Sequence, residues 1–139
     1  MARIVLTDCY VAVTIGVTTT VIDDHVASIT LQTTYDIVET TSFGDTAKKR
    51  LAGLADNNLS LELHQDFASG ELESVIYPAL GTSIAFEVRP TSAVVGASNP
   101  KYTFNAIATE WSPLNGGIGE LSTISLSWPI DGVITKATS

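Results

Sequence analysis

Basic side chains are scarce in this chain. Seven Lys and Arg stand against fifteen Asp and Glu, giving a net charge of −8 and an isoelectric point near 4.4. A sequence-independent nucleic-acid binder needs a positive footprint to neutralise phosphates; this balance is the opposite and argues against DNA affinity. Charge of either sign is thin, at 16% of residues, where soluble domains carry roughly 25%. Long apolar runs are also missing. None approaches the roughly 20 residues of a membrane helix, although mean hydropathy is +0.26. The opening MARIVLTDCYVAVTIGV is broken by Asp8 and has no small-residue cleavage site after an uninterrupted apolar core, so no signal peptide is expected. The single cysteine, Cys9, excludes an internal disulfide and fits synthesis in a reducing cytoplasm. No Cys/His signature surrounds it, so an inert, buried thiol is expected.

Catalytic signatures are absent as well. The chain has no nucleophile elbow, Gly-rich phosphate loop or zincin motif. GGIG at 116–119 has no following helix and reads as turn chemistry. Two His/Asp groupings exist, Asp23-Asp24-His25 and His64 with Asp66. Zinc needs three or four converging ligands, and these groupings share no ligand spacing. Asp23 and Asp24 are expected to cap a helical turn, and His64 to lie on a polar strand face. Glu110 beside Trp111 could stack a sugar, but one aromatic and one acid read better as a packed strand end. No catalytic, cofactor or metal site is therefore expected.

What the chain does have is alternation. Val11, Val13 and Ile15; Ile29 and Leu31; Leu59, Leu61 and Leu63; Ile84, Phe86 and Val88; Tyr102, Phe104, Ala106 and Ala108; and Ile124, Leu126 and Trp128 each recur at every second position. Period two predicts strands with one buried face. The opposite faces are mostly Ser, Thr, Gln and Asn, which suits solvent or a water-filled channel wall. One segment follows helical spacing: Leu72, Val75, Ile76, Ala79 and Leu80 form one stripe within about 70–80. Ser69 or Gly70 is expected to cap it, Glu71 and Glu73 to sit at its positive end, and Gly81 to end it. Pro78 should kink or tighten the last turn. The reading is one mainly β domain over 1–139, a β-sandwich or half-barrel with one flanking helix and a long inter-strand loop at about 40–57. Few charges and high hydropathy without a span imply apolar surface that other subunits cover; a monomer rich in surface Ser and Thr is the alternative.

The segments HVASITL, VETTSFGDTAKKRLAGL, LSLELHQDF, IAFEVRPTSA and YTFNAIATEWSPLNGGIGELSTISLSWP together resemble the major tail (tail tube) proteins of long-tailed, non-contractile bacteriophages. The closest look is to phages of actinobacteria. The resemblance runs in order from about Arg3 to Pro129 and is most specific at ETTSFGDTAKKRLAGL and EWSPLNGGIGELSTISLSWP. It implies a non-enzymatic virion tail protein, made in the host cytoplasm, whose hexameric rings stack into a tube. It implies tape-measure, tail terminator and distal tail proteins as partners, passage of DNA without sticking, and no membrane insertion.

Such tubes use a long loop to reach from ring to ring, and residues 40–57 are the region that could serve. There Phe43 and Leu51 would anchor in an apolar groove of the next ring. Lys48, Lys49 and Arg50, with Asp45 nearby, would meet acids there, with Asp23, Asp24, Glu71 and Glu73 as candidates. A solvated loop and a DNA site are the other readings of this cluster. For the whole chain the alternatives are a capsid decoration or host-surface-binding β-sandwich, and a hydrolase built on His64 and Asp66.

Overall fold

The computed structural model describes residues 3–139. Eight strands run through the described residues: β1 Tyr10–Ile15, β2 Thr18–Val21, β3 Val26–Glu39, β4 Arg50–His64, β5 Ser83–Arg89, β6 Lys101–Ile107, β7 Thr123–Pro129 and β8 Thr135–Ala137. One short helix, α1 Leu72–Ile76, runs into a 3-10 turn at Tyr77–Ala79. All strand pairings are antiparallel. They form a five-stranded sheet, β2-β1-β5-β6-β8, and a three-stranded sheet, β3-β4-β7.

The alternating residues make the core. Val11, Val13, Ile84, Phe86, Phe104 and Ala106 of one sheet pack with Leu59, Leu61, Leu63, Ile124, Leu126 and Trp128 of the other. Phe86 stacks on Phe104 at 5.4 Å and meets the Trp128 ring edge-on at 6.1 Å. Such contacts add specificity to a non-directional drive. Fold class therefore follows the alternation, and Tyr102 is the one member of its series that stays only half-buried among Phe104, Ala106 and Ala108.

The helical stripe sits where expected. Leu72, Ile76 and Ala79 are buried, and Val75 and Leu80 pack against the same core. Pro78 lies within the 3-10 turn, whose tighter winding accommodates a residue that cannot donate. Gly81 follows at φ 83°. The caps differ from expectation. Glu71, not Ser69 or Gly70, occupies the N-cap of α1, and Ile22 occupies that of the Asp23–His25 turn; neither makes a side-chain cap bond. Tertiary packing, rather than capping, holds these short pieces.

The second difference concerns residues 40–57. Residues 50–57 are strand, not loop: Glu39 pairs with Arg50, Val38 with Leu51 and Ile37 with Ala52. The connection proper is residues 40–49. A bulge falls between Tyr35 and Ile37. Opposite it a Cβ on Gly53 would lie 3.3 Å from the Asp36 carbonyl oxygen, so a side chain there would crowd the backbone.

Candidate assembly interface

Strand β7 pairs only with residues 58–64 of β4. Beyond that point β3 and β4 leave the sandwich as a two-stranded arm. Between residues 32 and 52 every residue but Asp45 is exposed. At the base, buried Asn57 donates from Nδ2 to the Gly132 carbonyl at 2.8 Å, and its backbone carbonyl accepts from the Ile130 amide at 3.0 Å. These bonds fix where the arm departs.

The arm exposes an unusual amount of apolar surface: Tyr35, Ile37, Val38, Leu51 and Leu54 on the strands, and Phe43 at the tip with 109% of its reference area. A free two-stranded ribbon is marginal in water, and contiguous apolar patches mark interaction sites.

The tip is built by its own hydrogen bonds. Asp45 Oδ2 accepts from the Ser42 amide at 2.8 Å and its hydroxyl at 3.2 Å, and the Asp45 amide donates to the Ser42 carbonyl at 3.1 Å. This Asx-type turn needs no outside support. Gly44 takes φ 93°, a region costly for other residues. The Thr40 amide donates to the Lys49 carbonyl at 2.8 Å, and the Lys49 amide to Thr41 Oγ1 at 2.9 Å. Asp45 Oδ1 lies 3.0 Å from Lys49 Nζ. The Ser42 amide first, and the Lys49 ammonium second, hold the Asp45 carboxyl below its ordinary range. Lys49 is thus already paired inside the loop. Lys48 and Arg50 have no acidic partner among the described residues.

Elsewhere, an apolar groove runs between the two sheets, lined by Ile4, Leu6, Leu31, Val88, Tyr102 and Ile134. Beside it lies an acidic cleft holding Asp8, Asp23 and Asp24, and the two share Leu6, Cys9 and Ile29. The Asp23 carboxyl is raised, first by burial and next by the charge of Asp24. Cys9 donates from Sγ to the Arg89 carbonyl at 3.1 Å. Burial, then Asp23 and Asp8, raise its pKa, so the thiol stays protonated and unreactive.

The outer face of the three-stranded sheet is nearly free of charge. Ser28, Thr30, Ser60, Ser125 and Ser127 are cross-strand neighbours there, with Glu62 as the lone acid among them.

Among the other sequence candidates, Glu73 is committed inside the fold, accepting from Trp111 Nε1 at 2.7 Å and Gln65 Nε2 at 3.1 Å. The Glu110 carbonyl accepts from Trp128 Nε1 at 2.8 Å, and Trp111 lies 6.4 Å from the Trp128 ring; Trp111 packs against the core, but Glu110 is exposed and both lie past the end of β6, not at a packed strand end. His64 and Asp66 make no hydrogen bond to each other, and His64 Nδ1 is buried without a partner. Asp66 turns instead toward His25, where Asp24 and Glu71 also converge. The sequence reading missed that convergence, because Glu71 is 46 positions from His25.

No family model matches the chain, and no curated protein matches it. Solved structures do. A chain of the virion of a native gene transfer agent particle superposes with a TM-score of 0.65 at 10% identity, covering 91% of this chain and 95% of that one. A chain of the anti-feeding prophage baseplate gives 0.63 at 12% identity, covering 98% and 96%. A chain of the sheath/tube terminator of an extracellular contractile injection system, in its extended state, gives 0.66 at 15% identity, covering 98% and 97%. At these identities the likeness is one of fold, and it spans nearly the whole of each chain.

Proposed function

We propose that this protein is the structural subunit of a phage-type tail tube. Copies form hexameric rings, and the rings stack into a conduit for DNA within the virion tail. The observation that carries this reading is the arm, residues 33–57, which presents apolar side chains and unpaired cations beyond the core. The near-complete fold likeness to chains of a virion, a baseplate and a tube terminator supports it. The sequence resemblance favours a non-contractile tail, in look nearest to phages of actinobacteria, with tape-measure, terminator and distal tail proteins as partners. No enzymatic role is assigned.

In this reading Phe43 and Leu51 enter the apolar groove of a neighbouring copy, and Lys48 and Arg50 face Asp8 and Asp23 in the adjoining cleft. Lys49 keeps the tip turn in shape. The hydroxyl-rich face of β3-β4-β7 lines the channel. DNA carries about one charge per 1.7 Å of duplex. A basic wall would hold it by many phosphate contacts, whereas a neutral, weakly acidic wall lets it slide. The helical stripe Leu72, Val75, Ile76, Ala79 and Leu80 serves the core rather than the interface.

The test is negative-stain electron microscopy of the purified protein across a concentration series. Hollow rods or stacked rings of uniform width are expected. Dispersed monomers at every concentration, including after seeding with preformed tail ends, would overturn the reading in favour of a decoration or host-binding module.

A further inference from the structure

We propose that Asp24, His25 and Glu71, with Asp66 beside them, bind a divalent transition-metal cation of the zinc class. His25 is 8% exposed. Its Nε2 points at three carboxylates: Glu71 Oε2 at 3.1 Å, Asp24 Oδ1 at 3.5 Å and Asp66 Oδ2 at 3.9 Å. The ligand atoms of Asp24, His25 and Glu71 all lie within 4.8 Å of one another. Tetrahedral zinc with bonds of about 2.0–2.1 Å places neighbouring ligand atoms roughly 3.3–3.4 Å apart, so the His25 distances to Glu71 and Asp24 bracket the edge of such a polyhedron.

Charge points the same way. None of these three carboxylates is paired with Lys or Arg among the described residues. Nε2 has no partner outside the group, and one ring nitrogen can donate a single proton. It cannot satisfy three acceptors, whereas a dication between them can. An imidazole nitrogen in the set favours zinc-like metals over calcium, which takes oxygen ligands. The surroundings orient the donors. Asp66 Oδ1 accepts from the Ala68 amide at 2.9 Å, leaving Oδ2 to face His25, and the His25 amide donates to the Ile22 carbonyl at 2.9 Å. Such outer bonds fix first-sphere geometry. The Asp24 side chain is 70% exposed, so water can complete the coordination. The metal would tie the β2–β3 turn to the connection between β4 and α1.

Titration calorimetry of the full chain, stripped with chelator and titrated with Zn²⁺ at neutral pH, tests this. One saturable site per chain is expected. At a hundredfold excess over Kd the thermal midpoint should rise by on the order of 10 °C. Glu71→Gln and Asp24→Asn leave the core untouched and should each weaken binding at least about tenfold; Asp56→Asn and His64→Gln should not. In NMR spectra Zn²⁺ should move the His25 imidazole and leave that of His64, the chain's other histidine. Absence of saturable heat, affinity unchanged by Glu71→Gln with Asp24→Asn, or preference for Ca²⁺ would each overturn the site. Tube assembly plays no part in this readout, so its outcome is separate from that of the proposed function.

Discussion

Phe43→Ala isolates the contact on which polymerisation should depend. In the single chain the ring touches almost nothing, being 109% exposed, so its removal should leave monomer stability within the roughly 0.5 kcal/mol usual for surface changes. In the proposed assembly the same ring would fill a neighbour's groove, and burying a Phe side chain contributes about 1.5–3 kcal/mol. Each 1.4 kcal/mol is tenfold in an equilibrium constant. The concentration at which polymer first appears should therefore rise by about 10–100-fold.

The assay is sedimentation of polymer across a dilution series, with circular dichroism and thermal unfolding of the unassembled chain as the control. Leu54→Ala, on the strand portion of the arm and 83% exposed, gives a second reading of the same surface. If folded Phe43→Ala polymerises at the wild-type concentration, the tip does not enter a neighbour. The arm would then be a solvated hairpin, and stacking would have to rest on other surfaces.

Reversal of Lys48 and Arg50 to Glu, with Lys49 kept to hold the tip turn, should abolish stacking and leave the fold intact, with Asp8→Lys and Asp23→Lys restoring it in part; electron microscopy of the paired variants decides. Gly44→Val should strain the tip by about 1–2 kcal/mol, seen as faster hydrogen exchange at the Asp45 and Lys49 amides. Cys9 should alkylate far more slowly than free cysteine at mildly alkaline pH, because its raised pKa keeps the thiol protonated; iodoacetamide kinetics followed by mass spectrometry would measure it. The Asp45 carboxyl is depressed below its ordinary 3.8, so its support of the tip turn is present above that value and lost as pH falls through the lower folded value. The Ser42 amide resonance should therefore hold steady down to about pH 3.8 and move only below it, and Asp45→Asn should remove that transition.

Strands β1 and β3 to β7 were legible because each buries one face along part of its length, and burial writes period two into the sequence. Leu59, Leu61 and Leu63 are an instance. Strands β2 and β8 bury almost nothing and were not legible. Residues 50–57 were not legible for the converse reason. Most of that stretch is exposed on both faces, so RLAGLADN carries no alternation, and the backbone ladder to β3 leaves no compositional mark. The helix stripe was visible while its cap was not, since packing of Leu72 and Ile76 makes a capping side chain dispensable. The candidate contact residues at the tip were legible as an odd concentration of cations beside Phe43 and Leu51, and their geometry came from the turn that Ser42 and Asp45 build. Of the His25 group only the neighbours Asp24 and His25 could be seen, not their convergence with Asp66 and Glu71. Its members come from two separate connections, and only the packing of α1 beside the Asp23–His25 turn unites them.

Charge distribution gives the arm a direction. Residues 33–57 hold three basic and four acidic side chains, and the rest of the chain holds four and eleven. The arm is near neutral and cationic at its tip, while the body carries nearly all the net negative charge. A tip that is apolar and positive does not complement itself. Two arms placed together would oppose Lys48 and Arg50 to their own copies, which disfavours a closed two-fold dimer. In the proposed assembly the complement would be the body of another copy, with its apolar groove beside an acidic cleft. Such a head-to-tail contact is heterologous, and heterologous contacts propagate into rings or open filaments rather than stopping at pairs. Electrostatic complementarity of this kind sets register and suppresses wrong pairings more than it adds affinity. In that assembly the apolar anchor would supply the strength of the contact and the cations its direction. This division predicts that high salt should loosen the order of the assembled rods before it lowers the amount of polymer, and a salt series that dissolves them outright at moderate ionic strength would show the division to be wrong.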